Sequence, residues 1–468
     1  MWIPIVIISV ILIAFRKTIA YFYANDDFEI ARCYCKKSQL TEVKRYDKPI
    51  KICRVCGLQE RKEAKNKWQL FSWHLMGAQY THFKLAHLQT LTIHTINSIL
   101  IFKAFGSNNH SLVMALLFAI HPVATQGSSV WLSGKGYGVA TALVLLMKWL
   151  VWTAPFSYFA TFFFATNGFL APAMYLGTAY WWLIILIPIL TISKWEALKA
   201  ASEMKWTIIS QSRNPICWDN VVLFFKTIGY YFWMCVFPTK LGVHHTYLST
   251  YGLTKQETKQ WMKLDAYFFL GIALTAMLFI THNYGLFWFF LFLLQWSNIV
   301  TIHMFIAERY CTIALIGVLY VISQIINSTA LMQYRYFLFT AAFVYYWART
   351  SAYLPIYENL LMCIDENVRN FPGSVVAWTW KGGVENNLEM VNKSFDSWLR
   401  AWRLRPYDLR LNINLAALLA GRAQYDQAEN FLDMAAKSPC LNKKQEAFRD
   451  QRVAAMREQL KISRGESK

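Results

Sequence analysis

Apolar residues in this chain run in long stretches rather than in the alternating or narrow-striped patterns of a water-soluble core. A hydrocarbon layer of roughly 30 Å takes about 20 apolar residues per helix. About eleven stretches approach that length between Trp2 and Arg349, measured against that yardstick. The clearest are Leu85–Phe105, Gly138–Trp152, Ala171–Ile192, Val221–Phe237, Ala266–Ile280, Leu286–Val300, Ile306–Ile326 and Leu331–Trp347. Trp2–Tyr23 is interrupted by Arg16 and Lys17, Ser111–His121 is short, and Ala154–Leu170 is rich in Phe. The pattern predicts an all-α fold, a polytopic bundle of membrane helices over residues 1–349. Beyond Ala348 the apolar runs stop and Glu358–Leu460 has the spacing of amphipathic helices, so residues 350–468 read as a separate, water-facing helical domain.

Composition supports this picture: 56% of the residues are hydrophobic and 17% aromatic. The formal charge of +20 would suggest nucleic acid for a soluble protein. Here the basic excess lies beside membrane segments, where anionic lipid headgroups are the nearer partner, so nucleic acid is set aside. Met1–Phe15 has neither a basic n-region nor a small-residue cleavage site before Asp26, which favours a first helix over a secretory leader.

The largest loop, residues 25–84, contains the polar insert Arg32–Lys67 with twelve Lys or Arg against four acids. Four of the nine cysteines lie in it as C-x-C and C-x-x-C: Cys33, Cys35, Cys53 and Cys56. Cys53-Arg54-Val55-Cys56-Gly57 looks like a zinc knuckle, and the four thiolates make a structural zinc site the first expectation. Two disulfides are the competitor if the loop faces an oxidising compartment.

In the tail, Pro372, Pro406 and Pro439 are 34 and 33 residues apart. That is the period of tetratricopeptide repeats. Asn414-Leu415-Ala416 is expected to open one helix of a repeat, Gly421 to pack closely at its end, and Tyr425 with Ala428 to start the next. An ordinary helical hairpin is the plainer alternative. A short repeat array suits binding a protein partner better than chemistry.

Counting helices in order brings Asp26-Asp27, His121–Lys135, Lys240–Lys263, Glu308-Arg309 and the tail to one side. A carboxylate, cations and a cavity gathered there would make a membrane-surface active site. Each group also has a plainer explanation. Asp26 and Asp27 either cap a helix or supply a general base whose pKa rises near the headgroups. His121-Pro122 can be a helix stop. Ser133-Gly134-Lys135-Gly136 lacks the spacing of a phosphate loop, though Lys135 could meet a lipid phosphate as a point charge. Arg309, at the start of a long apolar helix, is either a snorkelling anchor or a bidentate phosphate ligand. No metal is expected at His244-His245.

In their order along the chain these motifs resemble the transmembrane and tetratricopeptide-repeat glycosyltransferases, relatives of the protein O-mannosyltransferases with the GT-C fold. The resemblance rests on Asn25-Asp26-Asp27, the polar run His87–Asn97, His121–Gln126 with Val130–Lys135, Phe237–Gly242, Ser297-Asn298-Ile299, Ala307–Tyr310, and the repeats. It implies a polyprenyl-phosphate sugar donor and a base at Asp26 or Asp27. It also makes His121, Lys135 and Arg309 candidate phosphate or sugar contacts, to which we add Glu308 and His244. This chain has Phe28 where the family usually has Arg, and the cysteine insert is foreign to the pattern. The positive-inside rule would put the basic loop in the cytoplasm, whereas the family orientation puts it outside. The rule is weak for a loop of this length, and the family orientation is adopted.

The expectation is therefore an integral, multi-pass enzyme of the plasma or endoplasmic reticulum membrane, with active site and repeats on the extracytoplasmic side. It would move one sugar, mannose among the candidates, from the lipid carrier to a hydroxyl on a protein or glycan. No cofactor is required, although a divalent metal could bind the acidic pair. The rivals are a non-catalytic membrane scaffold that recruits partners through the repeats, and a transporter of lipid-linked sugar.

Overall fold

The computed structural model describes residues 2–21, 40–45, 48–53, 83–125, 134–164, 170–193, 219–243, 245, 262–299, 306–358, 360–440 and 443–465. Among them are seventeen α-helices, and the all-α class holds with one local exception. In the basic insert, β1 (Leu40–Arg45) pairs antiparallel with β2 (Lys48–Cys53), Leu40 opposite Cys53 and Arg45 opposite Lys48. Thr41, Val43, Ile50 and Ile52 are β-branched and favour strands, a signal hidden by the charge around them.

The first unit comprises eleven helices: α1 (Trp2–Phe15), α2 (Phe83–Ala104), α3 (Asn109–Ala119), α4 (Lys135–Trp149), α5 (Ala154–Phe164), α6 (Leu186–Ser193), α7 (Asp219–Val236), α8 (Ala266–Thr281), α9 (Tyr284–Leu293), α10 (Ala314–Ile326) and α11 (Arg335–Tyr353). One continuous core runs through them, from Ile7 in α1 to Tyr357 after α11. Several helices start where a polar side chain takes up free N–H groups: Asn108 and Ser111 form a capping box at α3, Asp265 caps α8 and Asn283 caps α9.

Among the described residues, Trp2–Ala20 is the one helical segment long and apolar enough to cross a membrane by itself. Ala314–Ile326 and Thr329–Tyr357 qualify together but are bent by 85° at the break. The stretch Ala171–Ile192, expected as one span, is instead two 3-10 turns, Ala171–Tyr175 and Trp181–Ile185, followed by the short α6. Pro172 and Pro188 lack the N–H a continuous helix needs, and Gly177 takes a left-handed φ of 76° between the turns. Glu308 likewise opens a 3-10 turn, Glu308–Cys311, rather than a long helix.

The crossings are close. A methyl group at Gly229 of α7 would overlap the Tyr267 carbonyl, and one at Gly271 of α8 the Phe225 carbonyl. Gly285 of α9 and Gly317 of α10 meet in the same way. Beside the first crossing, Lys226 Nζ lies 2.9 Å from Asp265 Oδ2 and donates to the Lys263 carbonyl. Large apolar side chains nevertheless face outward on several helices, including Trp2, Phe156, Phe279, Ile280 and Phe337, each more than two-thirds exposed.

The tail holds six helices: α12 (Leu360–Asn370), α13 (Val375–Asn387), α14 (Val391–Leu404), α15 (Leu409–Ala420), α16 (Tyr425–Ala436) and α17 (Lys443–Arg464). Helices α13 and α15 start 34 residues apart, as do α14 and α16. Details repeat at the same step. Ser374 and Asp408 are the N-caps. Trp378 Nε1 and Asn412 Nδ2 each donate, at 2.8 Å, to the carbonyl of the proline six residues earlier, Pro372 and Pro406. Glu389 and Ala423 make the turns with left-handed φ values of 60° and 58°. Two expectations are corrected here. Asn414 lies inside α15, which Asp408 opens, and Gly421 is a loosely surrounded C-cap. The tightly packed glycine is Gly382, against the Trp398 indole.

Two stability predictions follow from these backbones. Gly271→Leu forces α7 and α8 apart and should cost on the order of 1–3 kcal/mol or more. Ala423→Gly relieves a left-handed alanine and should stabilise by up to about 1 kcal/mol. Thermal unfolding of each variant beside the parent checks both, and an unchanged melting temperature for Gly271→Leu would contradict the crossing.

Candidate functional site

Three polar side chains of α2 reach neighbouring helices, while its Thr and Ser hydroxyls bond back to its own carbonyls. Gln89 Oε1 accepts from Lys135 Nζ at 2.8 Å, and Asn97 Nδ2 donates to the Gly138 carbonyl at 2.9 Å, both at the start of α4. His94 Nε2 lies 3.0 Å from the Ala119 carbonyl that ends α3. Such bonds hold a polar side chain inside an apolar bundle by giving each a partner. Lys135 is buried and precedes the apolar stretch Gly138–Trp152. Burial brings its ammonium down to about 8.

His121, also buried, follows α3. Its Nε2 donates to the Cys235 carbonyl at 2.8 Å, and its Nδ1 accepts the Val123 N–H at 3.2 Å. Both nitrogens are therefore engaged, and the imidazole ties α3 to α7. Tyr346 of α11 packs against it with ring centroids 4.3 Å apart and the planes tilted by 51°, and its hydroxyl hydrogen is shared between the Cys235 and Val236 carbonyls.

The centre of the site is Glu308, whose side chain is fully buried. Oε1 accepts the Gly242 N–H, and Oε2 accepts the Tyr353 hydroxyl at 3.0 Å. His245 Nε2 stands 3.4 Å from Oε1, with its Nδ1 2.9 Å from the Tyr230 hydroxyl. A nitrogen lone pair pointed at a carboxyl oxygen would repel it, so the ring proton belongs on Nε2 and the Tyr230 hydroxyl donates to Nδ1. Tyr353 lies beyond the apolar stretch Leu331–Trp347. Its hydroxyl is the donor in the bond to Oε2. Tyr357, one helical turn further on, is 3.1 Å from it.

Gly242 also touches the tail. A methyl group there would fall 2.6 Å from Asn367 Oδ1 and 2.9 Å from the Phe371 ring. Phe371 packs on His245 at 4.7 Å, and Asn370 Nδ2 donates to the Leu241 carbonyl at 3.0 Å. The loop Pro238–Val243 is thus held between Glu308 and the end of α12.

Arg309, adjacent to Glu308 and largely buried, lies over the Tyr310 ring at 5.1 Å. Tyr310 stacks on Trp296 at 3.9 Å and 7° and meets Tyr137 at 6.4 Å. Since Tyr137 is two residues past Lys135, aromatic rings connect the neighbourhoods of the two cations. Behind them Asn298, at a left-handed φ of 62°, donates to Thr227 Oγ1, and Asn220 donates to the Ile299 carbonyl.

Of the predicted residues, Arg309 and Lys135 are linked through the Tyr310 and Tyr137 rings, Glu308 adjoins Arg309 in the chain, and His121 meets Cys235, Val123 and Tyr346 instead. Asp26, Asp27, His244, Cys33, Cys35 and Cys56 lie outside the described residues, and Cys53 enters only through its backbone at the end of β2. Among the described residues no three His, Cys, Asp or Glu side chains gather as a metal site. Sequence reasoning passed over Tyr230, Tyr353 and Tyr357, took Gln89 only as part of the run His87–Asn97, and weighed His245 only as half of a histidine pair. The i, i+4 spacing of the two tyrosines and the polar run around Gln89 were the available signals. No protein-family profile matches the chain, and no curated protein and no solved structure matches it either.

The geometry gives a graded test. Tyr353→Phe removes one donor to Glu308 and should cost about 1–2 kcal/mol. Glu308→Ala strips the acceptor from both buried donors and leaves His245 without its carboxylate neighbour, and should cost more, on the order of 3 kcal/mol. Equal losses in denaturant titrations of the two variants would contradict this order.

Proposed function

We propose that the chain is an integral membrane glycosyltransferase of the GT-C kind, transferring a sugar from a polyprenyl phosphate to a hydroxyl on a protein or glycan. One observation carries the reading: motif segments far apart in sequence touch in pairs. Gln89 holds Lys135, Gly242 holds Glu308, and His121 reaches the α7 carbonyl two residues before Phe237. A membrane setting accounts for the outward Trp2, Phe156, Phe279, Ile280 and Phe337 side chains, and for glycine-lined crossings with hydrogen bonds between helices. The repeated 34-residue step, with its caps, proline bonds and left-handed turns, supports a tetratricopeptide-like tail.

In this mechanism the acceptor hydroxyl attacks the anomeric carbon. Its proton passes to Asp26 or Asp27, and the bond from that carbon to the phosphate oxygen breaks with inversion. The phosphate leaves with the bonding electrons, and fixed cations stabilise the charge it gathers. Lys135 and Arg309 are the groups we assign to that charge. His121, with both nitrogens bonded within the protein, serves as a tie between helices. Glu308 fixes the loop and turn beside Arg309. The reading places the site and the tail on the extracytoplasmic side of the membrane.

The non-catalytic scaffold has its own support in the contact of α12 with the loop Pro238–Val243, which would pass a partner's binding into the bundle. The two readings part on the acidic pair. With radiolabelled polyprenyl-phosphate sugars and an extract of acceptors, Asp26→Asn or Asp27→Asn should lower transfer by about 100-fold or more for whichever is the base. Full activity in the double variant would sink the catalytic reading, and a tail that still captured its partner would leave the scaffold.

Donor affinity should also fall as pH rises past about 8, because the Lys135 ammonium then loses its proton. A bound phosphate shifts that break upward. Lys135→Arg should keep the KM for donor flat between pH 7 and 9, and a parent profile equally flat would remove Lys135 from phosphate binding.

A further inference from the structure

Two thiols in the bundle have no place in the transfer chemistry. Cys235 of α7 and Cys311, which closes the 3-10 turn carrying Glu308 and Arg309, are both fully buried. Their sulfur atoms are 3.1 Å apart. They are closer than sulfurs at ordinary van der Waals contact, and a bond of about 2.05 Å needs only about 1 Å of further approach. The two residues are 76 apart in sequence, so the fold alone brings them together. The other cysteines whose side chains are described, Cys363 and Cys440, belong to the tail.

Each partner is held from a second direction. The Cys235 carbonyl receives both His121 and Tyr346, which fixes that end of α7 against α3 and α11. One residue before Cys311, Tyr310 stacks on Trp296. Four residues before it, the Ala307 N–H donates to the Tyr231 hydroxyl of α7 at 2.9 Å. Backbone and ring contacts on both sides of the sulfurs therefore maintain their approach.

We infer that Cys235 and Cys311 are a disulfide-forming pair, a covalent modification site that joins α7 to the turn bearing Glu308 and Arg309. The oxidant is a small disulfide such as oxidised glutathione. One protein thiolate attacks it, forming a mixed disulfide and releasing one glutathione thiolate. The second protein thiolate then attacks the protein sulfur of that mixed disulfide and releases the other. The protein gives up two electrons and two protons, and these appear as two glutathione thiols.

The test uses the full chain, made in a cell-free system into lipid vesicles with mixed reduced and oxidised glutathione, so that both sulfurs meet the oxidant before burial. After denaturation, alkylation and digestion, the peptides carrying Cys235 and Cys311 should appear joined and lighter by two hydrogens. Reduction before alkylation should return them as two separately alkylated peptides. Cys363 and Cys440 should be alkylated throughout. Recovery of Cys235 and Cys311 as separate, fully alkylated peptides from the oxidising synthesis would overturn the inference. So would their linkage to other cysteines in preference to each other.

Discussion

Burying the Glu308 carboxyl is the demand that organises the upper part of this fold. A carboxylate taken out of water without partners costs several kcal/mol even after its surroundings relax. Here two donors come from separate parts of the chain, the Gly242 N–H from the loop after α7 and the Tyr353 hydroxyl from the end of α11, and His245 Nε2 from just beyond that loop stands 3.4 Å away. Satisfying one side chain therefore fixes three segments relative to the Glu308–Cys311 turn, and Arg309 with them. His245 is itself oriented by Tyr230, so the requirement reaches back into α7. Glycine at 242 lets α12 approach the same loop from its other face.

Below that network the helices are held differently. In the lipid surround that we propose, apolar contact between helices gains little over contact with acyl chains, and close backbone packing with interhelical hydrogen bonds has to supply the difference. The Gly229–Gly271 and Gly285–Gly317 crossings provide the first. Asn97 to Gly138, Asn298 to Thr227 and the Trp288 indole to the Ile313 carbonyl provide the second. These bonds also explain why α2 carries His, Gln and Asn along a largely apolar length: its polar side chains are its joints.

Features set by near neighbours in sequence were legible. The helical character of the apolar stretches, the start of α16 at Tyr425 and the 34-residue spacing depend on local propensity, prolines and caps. The break in Ala171–Ile192 was written in Pro172, Gly177 and Pro188 but was outweighed by the apolar run. The hairpin in the basic insert was likewise outweighed by charge. What a sequence does not carry is distance in space. Gly242 and Glu308 are 66 residues apart, and His121 and Cys235 are 114 apart. Nothing local distinguishes His245, whose ring meets Glu308 and Tyr230, from a histidine on a surface loop. In the tail, Gly421 looked like the close-packed glycine because it ends a helix, whereas packing falls on Gly382, opposite Trp398.

A stack of helical repeats leaves an apolar face open at each end, and each face needs a cover. At the far end the cover is α17, a long charged helix. Leu460 packs inward with Leu419 and Leu432, while Arg457 pairs with Glu429 and Asp433, and Arg464 with Asp426, on α16. At the near end the cover is α12, whose Val368 packs in one cluster with Ala377 and Trp378 of α13, rather than a second long charged helix. The end of α12 is closed in turn by the loop Pro238–Val243 and His245, through Asn367, Asn370 and Phe371. Because the opposite face of that loop donates to Glu308, α12 and the buried carboxyl share one short segment of backbone. Displacing α12 would uncover Phe371 and loosen Gly242 together, so the near end of the repeats and the Glu308 network gain their stability from the same contacts.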